Sequence, residues 1–251
     1  MISPEEIREK RPIVQCLANI VTANDCANIL LAAGASATMA HHPAEMTEIQ
    51  TGCDALVCNF GSTENYEAML LAAKTASHCG HPIVVDPVGC AGSGFRREQF
   101  KKLSELANIS CIRGNYAEIK ALCDMQSVSV GVDVGQLGKS SPALAGEWAK
   151  ALAKQYGCIV IASGKIDIVT DGSYYKEVAV GDEFMSRITG AGCMFSTLLG
   201  AYLAVENSVE SACTCCERFG RAGEAAAEKT RLAKGGSMTF RDFFIDEFFI
   251  C

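Results

Sequence analysis

The sequence predicts an α/β fold: a central, mostly parallel sheet with helices on both faces. Three observations carry that expectation. Short apolar runs rich in Val, Ile, Leu and Cys alternate with longer amphipathic segments from about residue 13 to residue 156. Several of the amphipathic segments are closed by a glycine, as helices commonly are. After residue 156 the alternation stops, and two strands joined by a tight turn are followed by long helices.

Ser3-Pro4-Glu5-Glu6 is a helix start, with Ser as N-cap, Pro in the first turn and Glu6 able to close a capping box. Ile13 to Leu17 reads as the first strand. Asn24 is expected to cap a helix that runs to Ala33 and stops at Gly34. Ala55 to Asn59 is a buried strand, Glu64 to His78 a helix ended by Gly80, and Ile83 to Asp86 another strand. Phe95 to Leu106 is helical, Ser110 to Arg113 a strand, and Asn115 caps the next helix. The segment Asp124 to Ser141 carries no clear period and reads as a surface loop. Cys158 to Ala162 and Ile166 to Thr170 are strands, and Asp171-Gly172 is a strong hairpin turn into Tyr174 to Val178. Helices follow over Gly190 to Val205, Ser208 to Thr230 and Thr239 to the end. No Pro- or Ser-rich linker and no repeat interrupts residues 1–251, which are read as a single domain.

Composition narrows the function classes. A net charge of −7 argues against a nucleic-acid backbone as partner, although local amides and one or two cations can still hold an anionic ligand. No apolar run is long enough to span a bilayer, and Met1 to Lys10 is charged rather than signal-like. The 14 cysteines lie scattered among aliphatic residues, where a thiol behaves as a small hydrophobe, so the expectation is a reduced, cytoplasmic protein.

Three stretches are candidates for chemistry. Thr189-Gly190-Ala191-Gly192-Cys193 opens an apolar helix, so free amides and the positive helix end can hold an anion, and Cys193 falls where that field lowers a thiol pKa. A simple turn explains two such glycines equally well. Asp86 in Val85-Asp86-Pro87-Val88-Gly89 leaves a strand at its carboxyl end, where parallel sheets bind ligands; it either faces that crevice or only caps the turn. Arg113-Gly114-Asn115-Tyr116-Ala117-Glu118 is again strand end into helix start, and Glu118 can be a site residue or the partner in the helix cap, the commoner role.

Taken in order, DPVG, RGNxxEI, a strand with SGxxD, and TGAGC at a helix start resemble the hydroxyethylthiazole kinases of the ribokinase-like superfamily. Asn19 to Asn24, Gly34 to Ala40 and Asn59 to Ser62 add to the resemblance, which covers about residues 12 to 230. It implies ATP- and Mg²⁺-dependent phosphorylation of the hydroxyl of 4-methyl-5-(2-hydroxyethyl)thiazole, in thiamine salvage or biosynthesis. It further implies that Gly190, Ala191 and Gly192 form the anion hole and that Cys193 sits beside the substrate hydroxyl. Asp86 and Glu118 would organise the metal, and Arg113 and Ser163 would contact ATP. Met39 and Gly190 would line the thiazole pocket. Relatives are trimers with the pocket between subunits, so Asn19, Gly61 and Ser62 would reach a neighbour's substrate. Ser163 stands where the family often has Thr, and Lys165 where it often has Glu. Most superfamily relatives carry Asp in the Cys193 position, which favours a thiazole substrate over the alternatives, a hydroxymethylpyrimidine or a sugar. A catalytically silent nucleotide-binding regulator is the alternative from another class, and retention of Asp86, Glu118 and Cys193 together leans against it.

Other features read as structural. Cys213-Thr214-Cys215-Cys216 holds a CxxC with no second ligand pair, so it is expected in a helix core. His41-His42 before Pro43 belongs to a loop leading into a Pro-started helix, or flanks the pocket near Met39. The C-terminal phenylalanines have helical spacing and are expected to dock on the body or on another subunit.

Overall fold

The computed structural model describes residues 2–125 and 141–250. Its elements in chain order are α1 (Pro4–Lys10), β1 (Ile13–Leu17), α2 (Ala23–Ala33), β2 (Ser36–Thr38), α3 (Met46–Thr51), β3 (Ala55–Asn59), α4 (Tyr66–Cys79) and β4 (Ile83–Asp86). Then come α5 (Gly94–Leu106), β5 (Cys111–Asn115), α6 (Tyr116–Met125), α7 (Pro142–Tyr156), β6 (Ile159–Ser163), β7 (Asp167–Thr170) and β8 (Tyr175–Val178). Three helices end the chain: α8 (Ala191–Val205), α9 (Val209–Leu232) and α10 (Ser237–Ile250). The strands form one eight-stranded sheet in the order β2-β1-β3-β4-β5-β6-β7-β8. Pairings from β2 through β6 are parallel, and β6-β7 and β7-β8 are antiparallel. The expected change after residue 156 is therefore where the sheet turns antiparallel.

Strand side chains alternate between faces, and the core divides accordingly. Val14, Cys16, Val57, Val84 and Ile161 face α2, α8, α9 and α10. Leu17, Leu56, Cys58, Val85, Ile112 and Val160 face the layer of α4 to α7. Helix α8 is buried along almost its whole length, which is why its sequence is apolar on every side.

Several expected details hold. Ser3 and Glu6 form the capping box of α1. Gly34 and Gly80 end α2 and α4 in the left-handed conformation. The CxxC lies in α9 with Cys213, Cys215 and Cys216 buried, and the described cysteines are free thiols. His42 accepts from the Ala44 amide and so caps the turn Pro43–Glu45, which occupies it structurally. Among the described residues no helix is long and apolar enough to cross a membrane.

Most of the C-terminal phenylalanines dock on their own chain, while Phe249 is left exposed. Phe240, Phe244 and Phe248 are fully buried, and Phe219 of α9 lies 4.9 Å from the Phe244 ring and 4.7 Å from Phe195 of α8.

Four expectations change. Asn24 does not cap α2: the chain turns at Asn19, the Cys26 amide already bonds Thr22 O, and the helix starts at Ala23 with Thr22 in the cap position. β2 is an unanticipated strand, a three-residue edge whose side chains are all half-buried, too short to show a period. β5 continues through Gly114 and Asn115, which pair with Ala162 and Ser163. Of the expected loop Asp124 to Ser141, Asp124 and Met125 end α6 and Ser141 caps α7; residues 126–140 lie outside the described residues.

Candidate active site

The carboxyl ends of β1, β3, β4, β5 and β6 converge on the start of α8, so residues far apart in sequence meet there. Asp86 is the last residue of β4, paired in register with Asn59, the last residue of β3. It is fully buried. Its Oδ2 accepts from Ser196 Oγ at 2.7 Å and Asn59 Nδ2 at 3.2 Å, and Arg113 Nη1 stands 3.8 Å away. Its Oδ1 has no hydrogen-bond partner. Burial raises the Asp86 pKa to about 6, against the pull of Arg113 and with a push from Glu118.

Cys193 lies in the first turn of α8 and is 9% exposed. Its sulfur accepts from Asn59 Nδ2 at 3.1 Å, with Asn19 Nδ2 at 3.8 Å. The helix field was expected to make this thiol acidic, and the balance runs the other way. Burial, then the Asp86 carboxylate, pushes it up from 9.0 to about 12. A helix N-terminus contributes at most ~2 kcal/mol, or about 1.5 pKa units, too little to cancel a rise of that size. At neutral pH the free protein therefore holds Cys193 as a thiol.

Gly190 is the cap of α8, with φ +91°, and a Cβ there would meet Thr22 Cγ2 at 2.7 Å. Conformation and space both demand glycine. The amides of Ala191, Gly192 and Cys193 stand ahead of the first helical bond, Met194 N to Gly190 O at 2.8 Å, and are the orphan donors of a helix start. We expect Gly190→Ala to lower the melting temperature and nearly abolish activity, since positive φ alone costs ~1–3 kcal/mol; thermal unfolding beside a rate assay checks both.

Arg113 reaches toward the same turn. Its Nε donates to Ser163 Oγ at 3.0 Å, its guanidinium lies 5.2 Å from the Phe195 ring centroid, and its Nη1 occupies the space a Cβ on Gly192 would need. The two residues expected at the nucleotide thus form a hydrogen-bonded pair beside the Gly190 to Gly192 turn. Glu118 does complete a helix cap, its Oε2 accepting from Asn115 N and Asn115 Oδ1 accepting from Glu118 N. Its Oε1 also accepts from Gly89 N at 2.9 Å, so it ties the DPVG turn to α6 as well.

The remaining expected residues divide. Asn19 and Gly61 are in the cluster, both bonded to Asn59 Oδ1. Met39 follows β2 and packs partly buried against the core that holds Cys193. Ser62 is not brought to the cluster: it is fully buried, and its hydroxyl is engaged by Glu64 and Asn65. Sequence reasoning missed Asn59, Ser196 and Thr22. A polar residue closing an otherwise apolar strand was the available signal for Asn59. A cavity of about 410 Å³ lined by Ile2, Tyr202 and Arg218 lies at the other end of α8, and none of these site residues lines it.

At the strand ends of a ribokinase-like sheet, a guanidinium and the amides of a helix start, which suit an anion, stand beside an unpartnered carboxylate oxygen, which suits a cation. The same architecture is found in a ribokinase-like superfamily protein from Enterococcus faecalis, with a TM-score of 0.61 at 11% identity over 96% of this chain and 95% of that one. The hydroxyethylthiazole kinase family model matches residues 5–250, and the chain belongs to that family of kinases. A hydroxyethylthiazole kinase from Clostridium botulinum is 38% identical over 96% of this chain and 88% of its own length. The structure of a hydroxyethylthiazole kinase protein from Pyrococcus horikoshii superposes with a TM-score of 0.87, at 30% identity over 99% of this chain and 91% of that one.

Proposed function

We propose that this enzyme transfers the γ-phosphoryl group of ATP to the hydroxyl of 4-methyl-5-(2-hydroxyethyl)thiazole, in the cytoplasm, as a step of thiamine supply. The observation that carries the reading is the meeting of Cys193, Asp86 and the Gly190 to Gly192 turn at one point, in a chain of this family. Phosphoryl transfer passes through a loose transition state with charge on the equatorial oxygens, so positioned cations and amides do most of the work. The amides of Ala191 and Gly192 hold those oxygens, and Arg113, braced by Ser163, neutralises part of the nucleotide's charge. Met39 and Gly190 border the thiazole ring. Cys193 acts through its thiolate, the scarce form in the free protein, which takes the hydroxyl proton late and becomes the thiol as the acceptor oxygen bonds to phosphorus.

Asp86 Oδ1 is a hard oxygen donor without a partner, and Mg²⁺ sites in kinases use one or two carboxylates plus phosphates and water. The residues fit that ion, with Asp86 and Glu118 holding it or its waters. Bound there, it would offset the negative charge of the transferring phosphate. Phosphorylation of the thiazole alcohol should require Mg²⁺ and stop in excess chelator; full activity with chelator present contradicts the metal assignment.

The protein acts as a homotrimer in this reading. Ile20 and Val21 are 87% and 72% exposed immediately beyond Asn19, an apolar pair placed beside the site for a second copy to cover. Asn19 and Gly61 then border the shared pocket, while Ser62, buried and held by Glu64 and Asn65, stays out of it. Light scattering should report a trimer, and a fully active species of 26.6 kDa would rule the shared site out.

A further inference from the structure

We propose that Asn59 is the positioning residue of this site, one side-chain amide that holds the Cys193 sulfur and the Asp86 carboxylate in fixed relation. The inference rests on the kinase reading above. Asn59 is 1% exposed, and every polar atom of its side chain is used. Its Oδ1 accepts from the Gly61 backbone N–H at 3.0 Å, and from Asn19 Nδ2 at 3.4 Å. A backbone N–H can only donate, so Oδ1 must face Gly61 and Nδ2 must face the reacting groups. The two hydrogens of Nδ2 then go one each to Cys193 Sγ at 3.1 Å and Asp86 Oδ2 at 3.2 Å.

Two consequences follow for the reaction. The sulfur accepts this bond, so the lone pair that faces Asn59 is occupied and another is left to meet the substrate hydroxyl. The carboxylate has Oδ2 committed to Asn59 and Ser196, which leaves Oδ1 as the free oxygen. Register places the amide there without slack, since Asn59 and Asp86 are paired on neighbouring strands and Gly61 is only two residues on. Around the pair, Asp86, Cys26 and Thr22 act on Cys193, and Arg113, Glu118 and Ser196 act on Asp86, with Asn59 bonded to both.

Asn59→Asp is isosteric and keeps the acceptor for Gly61 but loses both donors. Asn59→Ala removes the side chain and guards against a variant that fails to fold. Each should lower kcat by ~10- to 100-fold, as loss of a group that orients a site residue does, with KM for the thiazole alcohol changed less than about threefold. In a double-mutant cycle, Asn59→Ala should cost clearly less in a Cys193→Ala background than in the wild type, because part of its effect passes through the sulfur. A merely structural asparagine predicts additive losses in kcat and a KM that moves with it, and either result overturns the proposal. The same cycle on melting temperature needs no turnover: non-additive shifts for Asn59 with Cys193 and with Asp86 support the shared amide, and additive shifts overturn it. An inactive wild type that still shows the coupling in melting temperature would sink the kinase reading and leave the geometry standing.

Discussion

Asp86→Asn is expected to lower kcat by at least ~10² while making the protein more stable at pH 8. Burial lifts this carboxyl from 3.8 to about 6, so the folded protein binds its proton more tightly than the unfolded chain does. A raised carboxyl pKa contributes stability that is present below the unfolded value and is lost as pH climbs through about 6. Above that, the wild type carries a buried charge at a cost on the order of 1–3 kcal/mol, offset only in part by Arg113 at 3.8 Å. The Asn variant has no charge to bury. Its melting temperature should exceed the wild type's by a few degrees at pH 8, and the gap should narrow below pH 6 and close only below about pH 4. A variant that is active, or one less stable at pH 8 than the wild type, contradicts the idea that function keeps this charge in the core.

The second large effect concerns Cys193. Cys193→Ala should lose a base contribution of at most ~10²–10⁴ in kcat, with activity surviving through the amides and Arg113. Cys193→Asp should recover much or all of the rate at pH 7, because a carboxylate is far easier to ionise than a thiol pushed to about 12. The second carboxylate near Asp86 should cost stability at the same time. Dependence on pH separates these variants further, since kcat/KM reports groups of the free enzyme. In the wild type it should rise through about 6 as Asp86 ionises and keep rising to pH 9, because the thiolate is scarce throughout. Cys193→Asp should level off once its carboxyl and Asp86 are ionised. A cysteine that only packs predicts the reverse pair, an active Ala enzyme beside a dead Asp enzyme.

The strands and most helices were legible because each carries its own period and its own stop signals, as in the glycine that closes α4. The candidate positions on β4, β5 and α8 were legible for a related reason: Asp86 ends an apolar strand, Arg113 interrupts one, and Gly190 opens a helix, each breaking a local pattern. What stayed hidden depends on proximity across long sequence separations. Asn59 meets Cys193 across 134 positions, and Ser196 meets Asp86 across 110, and nothing local marks either pair. The thiol pKa was misjudged for the same reason. The helix start that lowers it is visible in the chain, but the burial that raises it exists only once α8 packs on the sheet. Glu118 shows a third case, in which both readings hold: it caps α6 through Asn115 and also reaches the DPVG turn through Gly89.

The most direct measurement offers the enzyme ATP, Mg²⁺ and an equimolar mixture of 4-methyl-5-(2-hydroxyethyl)thiazole, a hydroxymethylpyrimidine and a sugar alcohol, and identifies the phosphorylated products by mass. The account predicts the thiazole phosphate as the dominant product, formed with one ADP per phosphate ester. A phosphate ester found mainly on the pyrimidine or the sugar, or ATP left unconsumed with every alcohol, would contradict it.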